Sequence, residues 1–389
     1  MLKITYGLAL IYTFMFSSNL LANVNTYITV EEVKIGKAKA ELPKVASQFD
    51  ILINKFSAEL VKVDGEKSLH TLATQFANSL WLEATSYMQT HKTFDDRALY
   101  WGRLQMAKHL RVSSVFYQLP LVSQSKLMSD FELASRGLND VKFTKNTDKK
   151  ILVTGFDPFY LHRNIAQSNP SGIAAINLDG VVIEQDGVTA EIQTLIVPVR
   201  FADFDQGMIE TMLTPHIKSG DVDMVTTISM GRKEFDLERF PGLRRSSVAP
   251  GNLGVYTGAN SKNPLIPFYQ GKPLDGPEFV EFSLPIAAMQ KAKGKYQVID
   301  NAAIETLQKG KFTASSLADL ANQTAVQGSG GGYLSNEISY RSILIRNQFN
   351  PKLPVGHIHT PRIKDWQKVE VQGIVDQIEQ MFIQALVAI

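Results

Sequence analysis

The sequence predicts an α/β protein, a largely parallel sheet flanked by helices, preceded by an all-α N-terminal domain. Three observations carry that expectation. From about residue 30 to 140 apolar residues recur at helical spacing, and only Pro43 and Pro120 interrupt them. The polar stretch "FTKNTDKK", residues 143–150, then has the composition of a linker. Beyond it, short apolar runs alternate with amphipathic segments, the texture of strands joined by crossover helices.

The chain opens with "MLK", the apolar run "ITYGLALIYTFMF" and the small and polar exit "SSNLLA". A basic start, an apolar run short of the roughly 20 residues that span a bilayer, and Ala22 at the exit read as a secretory signal, with an uncleaved N-terminal anchor as the alternative. The expected divisions are therefore a signal peptide at 1–22, a helical domain at 23–145 and an α/β domain at 150–389. The mature protein is expected to be exported, periplasmic or secreted, with no stable membrane span. Within the helical domain, "FDILINKFSAELVKV" sets Phe49, Leu52, Ile53, Phe56, Leu60 and Val63 on one face. Two later segments repeat the habit, giving four or so helices. His70, His91 and His109 lie in or beside them without the spacing of a metal site.

In the second part "KILVTGF", "EIQTLIVPV" and "VDMVTTISM" read as buried strands, with "FDQGMIETMLTPHIK" as a helix between the last two. "SNPSGIAAI" starts another helix, which Ser168 or Asn169 could cap, with Pro170 in its favoured early position. Ligands in such sheets gather at the carboxyl ends of the strands. With 40 Lys and Arg against 38 Asp and Glu, the chain lacks the basic excess of a nucleic-acid binder. It has no cysteine, which excludes thiol nucleophiles and disulfides alike.

Five stretches have the look of chemistry. They are "TGFDPF" with "SNPS", "GRKEFDLE", "GPEFVEFSLPI", "GGGYLSN" and "GHIHTP". In this order they resemble the pyroglutamyl peptidases (pyrrolidone-carboxylate peptidases), and "VPVRFADFD" also matches that family's second strand and helix. The resemblance covers roughly residues 150–389 and none of the helical region. It implies a pyroglutamyl-peptidase-like fold and a triad of Glu238, Ser335 and His359, with Ser335 standing where the family has cysteine. It further implies a pocket of Phe156, Phe159 and Tyr333 for the pyroglutamyl ring, with Asn169 hydrogen-bonding the lactam. No cofactor or metal is implied, and the partner would be a peptide with an N-terminal pyroglutamate or a related small substrate. Three departures accompany Ser335: the longer loop "YLHRNIAQS", Ile228 in place of a polar residue, and the extended stretch 294–326.

A thiol is partly ionised near neutral pH, whereas a serine hydroxyl needs a histidine to take its proton as attack proceeds. Glu238 and His359 are the right types for that task. Two functions stand on these residues: a Ser-His-Glu hydrolase acting on pyroglutamyl peptides, or a silent protein that keeps the pocket and binds them. A third reading makes Ser335 a helix N-cap.

Overall fold

The computed structural model describes residues 28–389, so the expected signal peptide lies outside the described residues. Eight helices precede the first strand there: α1 Val30–Val33, α2 Ile35–Glu41, α3 Pro43–Ala46, α4 Asp50–Leu60, α5 Glu66–His91, α6 Arg97–Arg111, α7 Ser114–Gln118 and α8 Leu121–Ala134. The four long ones are those that periodicity can reveal. The others span one or two turns, too short for an apolar stripe to repeat. Thr29 starts α1 with a capping box, its hydroxyl taking Glu32 N–H while the Glu32 carboxylate takes Thr29 N–H. None of the described helices is long and apolar enough to cross a membrane.

The α/β part contains strands β1 Lys149–Phe156, β2 Val182–Gln185, β3 Val188–Val197, β4 Met224–Met230, β5 Phe235–Glu238, β6 Phe268–Tyr269, β7 Lys272–Pro273, β8 Val298–Asn301, β9 Ala303–Thr306, β10 Gly310–Thr313, β11 Ala325–Gln327 and β12 Val355–Thr360. Its helices are α9 Pro170–Leu178, α10 Phe201–Asp205, α11 Met208–Ser219, α12 Ile286–Met289, α13 Leu334–Phe349 and α14 Lys368–Ala385. The main sheet has the order β2-β3-β1-β4-β12-β5-β8. Its central four strands run parallel, while β2, β5 and β8 oppose them. The long stretch 294–326 supplies β8 to that sheet and folds the rest, through β9, β10 and β11, into a small antiparallel sheet.

Helices cover both faces. α9 presses so closely on β1 that a Cβ on Gly155 would lie 2.1 Å from the Ser171 carbonyl oxygen. α13 lies on the opposite face against β4 and β12, beside α11. Each central strand is therefore buried on both sides, and β4 reads as an unbroken buried run.

The helical region and the sheet share one hydrophobic core, in which Leu80 and Trp81 of α5 join the cluster that holds Ile192 and Leu195 of β3. Buried charges bridge the two parts as well. Asp157, just beyond β1, receives Arg103 of α6 at 2.8 Å and Arg136 at 2.7 Å. Glu132 of α8 binds Arg136 at 2.8 Å and Arg200 at 3.0 Å, and Arg200 reaches Glu31 of α1 at 2.6 Å. The polar stretch 143–148 thus marks a change of architecture, while packing runs straight across it.

Candidate active site

The loop before α13 is shaped by backbone proximity. A Cβ on Gly328 would fall 2.1 Å from Asn336 Oδ1 and 2.3 Å from Gly242 N, so this position has room only for glycine. Asn336 clamps the same neighbour, accepting from Gly242 N at 2.9 Å and donating to Gly242 O at 2.7 Å. Gly331 turns with φ +88°, a conformation that costs a side chain strain. Below the loop, Glu337 ties α13 down through Arg245 at 2.6 Å and Arg341 at 2.9 Å. Tyr333 is the N-cap residue and Ser335 sits in the first turn, so Ser335 does not cap the helix. Its Oγ donates to Gly330 O at 3.2 Å. First-turn amides of a helix have no intrahelical acceptor, and this 16-residue helix directs their partial positive charge at that corner.

Glu238 and His359 meet through sheet register. β12 and β5 pair His359 with Asp236, so Glu238, two residues on, shares His359's face one step diagonally away. The Glu238 Oε1 to His359 Nδ1 distance is 2.5 Å. The other carboxylate oxygen accepts from Asn301 Nδ2 at 2.9 Å, because β5 and β8 place Glu238 and Asn301 side by side. Burial pushes the Glu238 carboxyl up to about 6, against the opposing pull of His359. Gly231 makes room for the imidazole, since a Cβ there would lie 2.6 Å from His359 Cβ. Among the described residues no protein group bonds His359 Nε2. A Cβ built on Gly330, the residue whose carbonyl holds Ser335, would sit 3.6 Å from His359 Cε1. Base and hydroxyl flank the same glycine, and no hydrogen bond joins them in this arrangement.

Phe156, Phe159, Asn169 and Tyr333 line one small cavity together with Ser335, and Val199, Ser229, Met230 and Leu334 complete it. Asn169 caps α9 by accepting from Ser171 N at 3.1 Å, and its Nδ2 donates to Asp157 O at 3.0 Å. Tyr333 donates its hydroxyl to Pro250 O at 2.8 Å and packs edge-on against Phe201, 5.5 Å between centroids. The cavity measures about 40 Å3. That is room for roughly three waters.

Sequence reasoning missed Asn301, Ser229 and Asp96. Asn301 lies in the stretch with no assigned structure, and only strand pairing brings it to Glu238. Asp96, at the head of α6, accepts from the backbone N–H of Asn169 at 3.1 Å, so the helical region holds one wall of the cavity. Burial drives its carboxyl well above the usual range. Among the described residues no cluster of His, Cys, Asp or Glu could hold a metal ion.

Comparison with known proteins gives three kinds of likeness. Among solved structures, pyroglutamyl peptidase I of Bacillus amyloliquefaciens is 20% identical with a TM-score of 0.43, covering 62% of this chain and 98% of its own. The pyrrolidone carboxyl peptidase of the hyperthermophile Pyrococcus furiosus is 21% identical with a TM-score of 0.40, covering 61% of this chain and 99% of its own. A Pseudomonas aeruginosa protein, described as uncharacterized protein PA0049, is 27% identical over an alignment 415 positions long, gaps included, that covers 82% of this chain and 75% of that protein. Two family models match: PA0049, C-terminal domain, over residues 150–272 and 313–364, and PA0049 N-terminal domain over residues 17–132. The chain is similar to PA0049 in both its parts, the helical region as well as the α/β part.

Proposed function

We propose that the chain is an exported hydrolase that removes N-terminal pyroglutamate, or a similar small cyclic acyl group, from peptides. Ser335 Oγ would attack the scissile carbonyl as His359 Nε2 takes its proton. Glu238 would hold the imidazole by Nδ1–H and offset the charge of the imidazolium. The first-turn amides of α13 would receive the developing oxyanion. His359 would then protonate the leaving amine, and water would hydrolyse the acyl ester on Ser335. Starting this sequence requires Ser335 to release the Gly330 carbonyl and turn to the imidazole. Such tightening on substrate binding is common for catalytic hydrogen bonds.

The observation that carries this reading is the buried Glu238–His359 pair at 2.5 Å, whose imidazole Cε1 stands 3.6 Å from where a Cβ would sit on Gly330, the glycine whose carbonyl holds Ser335. The silent-binding reading draws its support from the Ser335 to Gly330 bond, which leaves the hydroxyl off the base. Hydrolysis of a pyroglutamyl-aminocoumarin reporter by the purified protein separates the two. Turnover that vanishes in Ser335→Ala supports the hydrolase; equal inertness of both proteins, with retained peptide binding, overturns it.

The pH profile gives a second test. Glu238 is raised by burial to about 6, so its compensating charge is present above that pH and lost below it. The expected profile of kcat/KM falls as pH drops through about 6, as the Glu238 carboxylate takes up its proton. A rate that stays flat down to pH 4 would contradict this role. Export rests on the opening "MLKITYGLALIYTFMFSSNLLA". The intact mass of the periplasmic or secreted protein should begin near Asn23; a chain retaining Met1 would argue against cleavage.

A further inference from the structure

The triad leaves one buried titratable group on the same sheet face unused. His357, two residues before His359 on β12, is fully buried, and its ring stands edge-on to that of His359, 4.9 Å between centroids. Burial, with His359 beside it, pushes its pKa well below the ordinary histidine value. It is therefore neutral and owns a single N–H. Nδ1 lies 2.7 Å from Thr227 Oγ1 and Nε2 lies 2.8 Å from Ser229 Oγ, both hydroxyls belonging to β4. Thr227 Oγ1 also reaches the Gly356 carbonyl at 3.3 Å.

Only one tautomer satisfies all three contacts. If Nδ1 carries the proton, it donates to Thr227 Oγ1 and the threonine hydroxyl donates onward to Gly356 O. Nε2 then accepts the proton of Ser229. The other tautomer turns the threonine hydroxyl to Nδ1 and abandons the Gly356 contact. The network selects the first assignment.

This assignment sets what Ser229 can offer the cavity it lines. Its one proton is spent on His357, so its hydroxyl has only oxygen lone pairs left to present. Asn169 is the reverse case. Its Oδ1 already accepts from Ser171 N at 3.1 Å and from Ser171 Oγ at 2.8 Å, while one Nδ2 hydrogen goes to Asp157 O. One N–H remains. Tyr333 adds no donor, because its hydroxyl is bound to Pro250 O. With the Ser335 hydroxyl turned to Gly330 O, the other polar side chains at the cavity offer one acceptor and one donor, which matches the N–H and C=O of a secondary amide. A lactam presents those two groups side by side, because its ring holds the amide cis.

We propose that Ser229 is a specificity residue whose oxygen accepts the ring N–H of a bound lactam, complementing the Asn169 contact to the lactam that the family resemblance already implies, and that His357 is the positioning residue that keeps the Ser229 proton out of the way. The proposal rests on the pyroglutamyl reading for the identity of the ring, and it is tested separately from catalysis. The ligands are a pyroglutamyl dipeptide amide and its lactone counterpart, in which oxygen replaces the ring N–H. Calorimetric binding to the Ser335→Ala protein gives the lactam-to-lactone affinity ratio whether or not the chain is an enzyme.

The expected ratio is on the order of 100-fold, because the lactone sets oxygen against oxygen in a buried site. In Ser335→Ala/Ser229→Ala the ratio should collapse to within about 3-fold, since the acceptor is gone. In Ser335→Ala/His357→Phe it should also fall, because Ser229 regains a proton for the cavity; melting temperatures of both variants confirm that they are folded. A ratio untouched by Ser229→Ala overturns the assignment, as does failure of either ring to bind. A ratio untouched by His357→Phe removes the positioning role of His357. Reporter turnover with an unchanged ratio would sink this inference and leave the hydrolase standing. A collapsing ratio without any turnover would do the opposite.

Discussion

Replacing Ser335 or His359 by alanine should each lower pyroglutamyl-reporter turnover by at least about 1,000-fold, because nucleophile and base work as one unit. The double variant should then be hardly worse than either single one. Glu238→Gln is expected to cost less than either alanine change, since the base survives, yet the loss should still be large for a specific reason. Glu238 serves two donors at once, His359 at 2.5 Å and Asn301 at 2.9 Å. Glutamine has one oxygen. If that oxygen faces His359, the amide N–H₂ of glutamine meets that of Asn301; if it faces Asn301, the N–H₂ forces His359 into the wrong tautomer. Steady-state kinetics on the three single variants and the double variant check these expectations. A Glu238→Gln protein at full rate would remove Glu238 from the mechanism.

The second large effect is on stability. Arg103→Ala and Arg136→Ala should each destabilise the protein by about 3–5 kcal/mol, read by urea denaturation, because each strands part of a buried charge cluster. Burial alone would raise the Asp157 carboxyl, but the guanidiniums of Arg103 and Arg136 outweigh it and hold the group below its ordinary value of 3.8. A depressed carboxylate stabilises the fold above its unfolded pKa and loses that contribution as pH falls through the folded one. The wild-type protein should therefore lose stability in acid, below about pH 4, and the Arg103 variant should show a shallower decline. A loss under about 1 kcal/mol in both arginine variants would mean that water reaches the cluster.

Much of the α/β part was legible because buried parallel strands write themselves as apolar runs. β1, β3 and β4 are such runs, and Asn169 and Pro170 announce the start of α9. Glu238, Ser335 and His359 could be singled out because each sits in a short stretch whose order along the chain resembles one family. What could not be read depends on partners far away in sequence. Asn301 acquires meaning only when β8 pairs with β5. Ser229 and His357 look like ordinary strand residues until β4 and β12 run side by side and their polar atoms meet. Asp157 reads as a loop residue between two phenylalanines, and its arginine from α6 comes from 54 positions upstream. The short helices α1 to α3, of four to seven residues, fall below the length at which periodicity speaks.

The buried cluster around Asp157 bears on how the chain could be divided. Arg103 and Arg136 secure Asp157, and the carbonyl of that same residue receives the Asn169 side chain. Asp96 takes the Asn169 backbone N–H. A gene fragment beginning at Lys149 would encode the whole triad and the aromatic walls, yet Asp157 would be left without counter-ions and Asn169 without its brace. The peptide link across residues 143–148 is not what keeps the halves together; complementary charge and shared apolar surface do that. The helical region behaves as a tethered subunit, one whose concentration at its own docking face is fixed by covalent linkage.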